Sequence, residues 1–139
     1  MATIKVKLTN NAEVPVKGSE DAAAYDLKCI EETTIINGET KIVKTGIRMA
    51  IPKGYYGQIL SRSGLASKGI FTLGGVIDSD YRGDIGVIIH NESNDNKIFK
   101  VGEKVAQIAI IKLFEGTLEV VNELDETIRN ESGFGSTGL

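Results

Sequence analysis

The chain has 139 residues, with 16 lysines and arginines against 19 aspartates and glutamates, a formal net charge of −3 and a sequence pI near 5.2. With 41 % apolar and 25 % charged residues it suits one soluble globular domain, and no apolar run approaches the ~18 residues of a membrane span. The acidic balance leaves no broad basic field for polynucleotide phosphates, so any phosphate handled is expected on a small molecule.

The N-terminal stretch alternates apolar and polar residues over 3–8 and lacks both the apolar core and the cleavage site of a signal peptide, so it predicts a strand. Further short, β-branched strands are expected over residues 25–30, 33–36, 41–43, 46–51, 57–60, 85–91 and 97–101, with a last one over 104–113 running on to Val121. Turn chemistry lies between them at Asn37-Gly38, Lys53-Gly54, residues 91–96 and Val101-Gly102. This texture predicts an all-β sandwich or barrel, interrupted by one or two helical turns over 63–68 that Gly69 stops. Cys29 is the sole cysteine and His90 the sole histidine, which excludes an internal disulfide framework and a zinc site of Cys and His ligands. A reducing, intracellular compartment follows, cytoplasmic with the nucleus also open. Both residues read as structural.

Residues 1–121 are expected to form the barrel domain and 122–139 a C-terminal arm. The arm is acidic at first, then polar and glycine-rich, and is mobile when alone. It carries one aromatic, Phe134, among small residues whose backbone N–H groups can meet an anion, as a lid over bound ligand does.

Arg62-Ser63-Gly64 follows a strand and opens the helical turn, which fits either a phosphate cradle or a serine N-cap beside a surface arginine. In the segment Gly74-Gly75-Val76-Ile77-Asp78-Ser79-Asp80-Tyr81-Arg82-Gly83-Asp84, acids flank a turn and an aromatic follows. Either this is a hairpin with solvated acids, or Asp78 is a general base or metal-shell group and Tyr81 a platform for a flat ligand or sugar. Asp26 sits in an apolar strand, where it pairs with a cation or lies on the solvated face. Glu103 and Gln107 follow a turn into the last strand and by themselves read as exposed strand residues.

Taken in order, Ala23-Ala24-Tyr25-Asp26-Leu27, the stretch from Gly57 to Arg62-Ser63-Gly64-Leu65-Ala66, Gly75 to Gly83, Gly102-Glu103-Lys104-Val105-Ala106-Gln107, and Arg129 with Gly133-Phe134-Gly135-Ser136-Thr137-Gly138 resemble the five motifs of the trimeric dUTPase family. The resemblance spans essentially the whole chain. It implies a jelly-roll-like β-barrel assembled as a homotrimer, with sites between subunits closed by the arm. The implied activity is Mg2+-dependent hydrolysis of dUTP to dUMP and pyrophosphate, without polynucleotide or membrane partners.

On this resemblance Asp78 positions and deprotonates the attacking water and meets the 3′-hydroxyl, while Tyr81 packs under the deoxyribose and leaves no room for a 2′-hydroxyl. The backbone from Gly74 through Gly75, Val76 and Ile77 reads the uracil edge, and Gly86 joins that substrate-binding set. Arg62, Ser63 and Gly64 cradle the phosphates, and Gln107 and Asp26, the latter through water, belong to the polar shell around Mg2+ and triphosphate. Arg129, Ser136, Thr137 and Gly138 clamp the terminal phosphate, Gly135 lines the same loop and Phe134 covers the uracil. Ala24, Asn130 and Ser132 stand where many members have glycine, and residues 68–73 lack an asparagine that some bacterial members offer to uracil. Two other readings share the fold: a dCTP deaminase, alone or bifunctional, and a non-catalytic regulatory relative.

Overall fold

The computed structural model describes residues 2–9 and 11–135. Eleven short strands and one helical turn follow in chain order: β1 (Lys5–Leu8), β2 (Tyr25–Lys28), β3 (Thr33–Ile35), β4 (Thr40–Lys44), β5 (Ile47–Ala50), β6 (Tyr55–Leu60), α1 (Ser63–Ala66), β7 (Ile70–Leu73), β8 (Val76–Ile77), β9 (Gly86–Asn91), β10 (Lys97–Phe99) and β11 (Lys104–Lys112). All pairings are antiparallel. They form sheets ordered β1-β5, β10-β3, β2-β11-β6-β8 and β4-β9-β7, the all-β, jelly-roll-like class expected. Among the described residues no helix is long and apolar enough to cross a membrane.

Strict alternation builds the interior. In β9 Val87, Ile89 and Asn91 point inward, and in β5 Ile47 and Met49 do so. The four apolar ones join Leu27, Ile35, Val43, Phe99 and Ile108 in one cluster. Each such side chain, fully buried, contributes about 2 kcal/mol. Asn91, buried like Thr45, is a polar member of this interior and is fully satisfied: its Nδ2 donates to the carbonyls of Ile35 (2.8 Å) and Asp95 (2.9 Å), and its Oδ1 accepts from the Ser93 amide (3.0 Å). The turn expected over 91–96 is therefore wound around a strand residue.

Three local expectations are corrected. Residues 70–73 and 76–77 are strands, since β7 pairs with β9 and β8 with β6. The last strand stops at Lys112, and residues 113–135 contain no strand; Phe114, Leu118, Val120, Leu124 and Ile128 are almost fully exposed there, because no described part of the chain lies alongside to pair with them. Ser63 is not an N-cap: Arg62 holds that position with extended backbone and Ser63 is the first helical residue. Gly69 ends the turn at φ +86°, as a helix-stopping glycine does.

Candidate active site

Gln107 is the centre of one polar cluster. It pairs with Asp26 on one side and Leu60 on the other, so the three side chains leave the sheet on the same face. Its Nε2 donates to the Ser61 carbonyl at 3.0 Å, at the point where β6 turns into Arg62 and α1. Ser61 fixes that turn from the other side, its Oγ accepting the Thr72 amide at 2.9 Å. Arg62 Nη1 donates to the Lys104 carbonyl at 3.3 Å, and Lys104 Nζ lies 3.3 Å from Asp26 Oδ2. Asp26, with a side chain 15 % exposed, thus takes the first of its two alternatives and pairs with a cation. Ser63 and Gly64 are exposed, and as the first residues of α1 their N–H groups lack intrahelical acceptors.

Asp78, Tyr81 and the Gly74-Gly75 turn stand on a second element. Gly74 and Gly75 carry φ of +63° and +95°, and a Cβ on Gly75 would lie 3.0 Å from the Ile59 carbonyl oxygen, so this turn needs glycine both for backbone angle and for room. The Gly75 carbonyl accepts the Ile59 amide at 2.8 Å, and Val76 and Ile77 then pair with Gln58 and Gly57. The segment after β8 is not the hairpin expected, since β8 pairs with β6 and β9 with β4 and β7; it is a loop wound on itself. The Tyr81 amide donates to the Asp78 carbonyl (3.1 Å), the Tyr81 hydroxyl to the Asp84 carbonyl (2.7 Å), and Arg82 to the Ser79 carbonyl (2.6 Å). The Tyr81 ring lies so close over Gly83 that any Cβ there would meet it at 2.5 Å. Arg48 anchors the end of the loop through a forked contact to Asp84, Nε to Oδ1 at 2.9 Å. That hydrogen bond holds the Asp84 carboxyl below the usual range and the guanidinium above its own.

Exposed Asp78 faces a cleft lined by Lys53, Tyr55, Tyr56, Arg82 and Leu113. Tyr81 and Gly86 line another, with Ile42, Lys44 and Asp84. Ile77 opposes Gly57, which sets Asp78 beside Tyr56, about six residues from Arg62 along β6. At ~3.3 Å per residue their backbones are roughly 20 Å apart along the strand. One chain therefore brings Asp26, Arg62, Ser63, Gly64 and Gln107 together and keeps Asp78 and Tyr81 away from them.

In the arm, the Arg129 Nε donates to the Ser132 carbonyl at 2.7 Å and the Thr127 hydroxyl accepts the Asn130 amide at 2.9 Å. Asn130 adopts φ +49°, a left-handed angle that glycine takes freely and asparagine tolerates, so this departure keeps a glycine-like backbone. Phe134 is fully exposed, and Gly135 follows at φ +81°. Ser136, Thr137 and Gly138 lie outside the described residues. Ala24 is buried, its methyl accommodated in the interior.

Among the described residues no three His, Cys, Asp or Glu side chains converge as a metal cage. A lone carboxylate beside a glutamine amide nevertheless suits Mg2+, which keeps several waters and is held through one or two carboxylates and substrate phosphates. Sequence reasoning gave no role to Ser61 or Lys104; both lie inside motif stretches, and their contacts run between segments distant in sequence.

The dUTPase family model matches residues 10–138. The deoxyuridine 5′-triphosphate nucleotidohydrolase of Vaccinia virus (strain Copenhagen) is 47 % identical over 134 residues, 96 % of this chain and 91 % of the viral protein. The structure of Staphylococcus bacteriophage 80alpha dUTPase with dUpNHpp matches with a TM-score of 0.89 and 28 % identity, covering 100 % of both chains. A mutant dUTPase from phage phi11 of S. aureus, described as coordinating a structural Mg(II) ion, matches with a TM-score of 0.82 and 26 % identity over 90 % of this chain and 100 % of the phage chain. Matched along nearly its whole length in sequence and in fold, the chain belongs to the dUTPase family, enzymes that hydrolyse deoxyuridine 5′-triphosphate.

Proposed function

We propose that this enzyme converts dUTP to dUMP and pyrophosphate by attack of an Asp78-held water on the α-phosphorus, at sites assembled from several copies of the chain in a homotrimer. The observation that carries this reading is the separation of Asp78 from Arg62 by roughly 20 Å along β6. A nucleophilic water and the α-phosphorus it attacks must come within ~3.5 Å, so the Asp78 loop of one copy meets the Arg62 turn of another.

On this reading Asp78 aligns the water and accepts its proton. The main chain at Gly75, Val76 and Ile77, with Gly86 beside it, reads the uracil edge, and fixed donors and acceptors in a dry pocket reject the wrong base more sharply than a steric wall alone. Tyr81 supports the deoxyribose. Arg62 and the N–H groups of Ser63 and Gly64 hold phosphate oxygens, with Gln107 bracing the turn that carries them. Mg2+ bound to the triphosphate, with Asp26 reached through water, supplies positive charge to offset the leaving pyrophosphate. Residues 122–139 serve as the arm, in which Arg129, Ser136 and Thr137 meet the terminal phosphate, Gly135 lends its backbone and Phe134 covers the base, so that their ordering is coupled to substrate. The lone thiol of Cys29 suits a reducing, cytoplasmic setting.

Pyrophosphate release from dUTP, assayed with and without EDTA, tests the proposal. Turnover that needs Mg2+ and yields dUMP is expected, with no deamination of dCTP. Absence of turnover with Mg2+ present overturns it.

A further inference from the structure

We infer that Lys104 is a positioning residue for the phosphate half of the site, neutralising Asp26 so that an anionic triphosphate can approach before any divalent ion does. The inference rests on the proposed placement of Asp26 in the Mg2+ shell and concerns a residue that reading assigns no role.

The pairing of β11 with β2 shifts register between Lys104 and Ala106. Strict alternation from Gln107 inward would send Val105 to the outer face and Lys104 toward the core. Instead Val105 and Ala106 are both buried, at 1 % and 0 % exposed. This bulge returns Lys104 to the outer face, beside Asp26 and Gln107. Its ammonium then lies 3.3 Å from Asp26 Oδ2, and its carbonyl accepts from Arg62 Nη1 at 3.3 Å. One residue thus touches both the metal-shell carboxylate and the phosphate-binding guanidinium.

Sheet stability alone does not account for the arrangement. The bulge sets Lys104 directly opposite Lys28, and like charges facing each other across a ladder are unfavourable. Lys28 has its own partner in Glu13, at 3.5 Å, which leaves Lys104 to Asp26. Without the Lys104 charge, bare Asp26 repels a metal-free triphosphate, whereas bound Mg2+ relieves that repulsion. Loss of Lys104 therefore makes nucleotide binding more dependent on Mg2+.

Calorimetric dissociation constants for dUpNHpp, measured in Mg2+ and in EDTA, test this on the intact enzyme. The ratio of the two constants is expected to rise about two- to fivefold in Lys104→Met, in keeping with a half-exposed ion pair. It is expected to return to the wild-type ratio in Lys104→Arg, and to stay at the Asp26→Asn ratio when Lys104→Met is combined with Asp26→Asn. A wild-type ratio in Lys104→Met, or an equal rise with Asp26 already removed, overturns the role of Lys104. An Asp26→Asn ratio equal to wild type overturns instead the metal-shell reading beneath it.

Discussion

Gln107 and Asp26 are direct cross-strand partners, and the Gln107 amide reaches past its own strand to the Ser61 carbonyl at 3.0 Å. Gln107 therefore ties the first motif to the turn that opens the second. Replacing it with leucine keeps the volume and leaves the Ser61 carbonyl without its donor, a loss of about 1–1.5 kcal/mol. Gln107→Leu is expected to weaken dUpNHpp about tenfold by calorimetry. Unchanged affinity would deny the brace any part in binding.

Gly75 is the less replaceable residue of the Gly74-Gly75 turn. Alanine there must hold φ near +95° with its Cβ 3.0 Å from the Ile59 carbonyl oxygen. The strain is about 2 kcal/mol. Gly75→Ala is predicted to lower the denaturation midpoint and to narrow the preference for dUTP over dCTP, read from competing kcat/KM values. A variant as stable and selective as wild type contradicts the strained-turn account.

Phe134 touches nothing that stabilises the fold, since its side chain is fully exposed. Phe134→Ala should leave the melting temperature unchanged while lowering kcat/KM for dUTP about tenfold or more, as loss of a stacking cover does. Full activity in this variant would remove the lid from the mechanism.

Asp84 carries the acid-side dependence of the loop between β8 and β9. The Arg48 hydrogen bond lowers its folded-state pKa. Its contribution is accordingly present above the unfolded aspartate value of about 3.9 and is lost as pH falls through the lower folded value. Urea midpoints of wild type and Asp84→Asn should differ modestly at neutral pH and converge in acid. A gap that widens toward acid reverses the sign and contradicts the ion pair.

Much of the barrel was legible because β-branched runs alternate and glycine-bearing turns separate them, as β5 and β9 illustrate. What escaped reading is non-local. Residues 70–73 carry no alternation of their own and are a strand only because β9 lies beside them. The run beyond Lys112 has strand-like residues but nothing described alongside to pair with. Asp26 was open between a cation and solvent, and its partner Lys104 lies in a segment remote in sequence, turned outward by a bulge that no residue type announces. Motif order set Arg62 and Asp78 in separate motifs; only the register of β8 on β6 reveals that they lie toward opposite ends of one strand.

That separation has one direct test. Asp78→Asn should keep dUpNHpp affinity within about tenfold and reduce kcat at least ~100-fold, as loss of a general base does, and Arg62→Gln should also be nearly inactive. The two variants are then unfolded together in equal amounts, refolded and assayed for dUTP turnover. If each site takes Asp78 from one copy and Arg62 from another, random assortment rebuilds roughly a quarter of the sites, and activity returns to that level. If both residues serve from the same chain, every site retains a defect and the mixture stays as inactive as its parents.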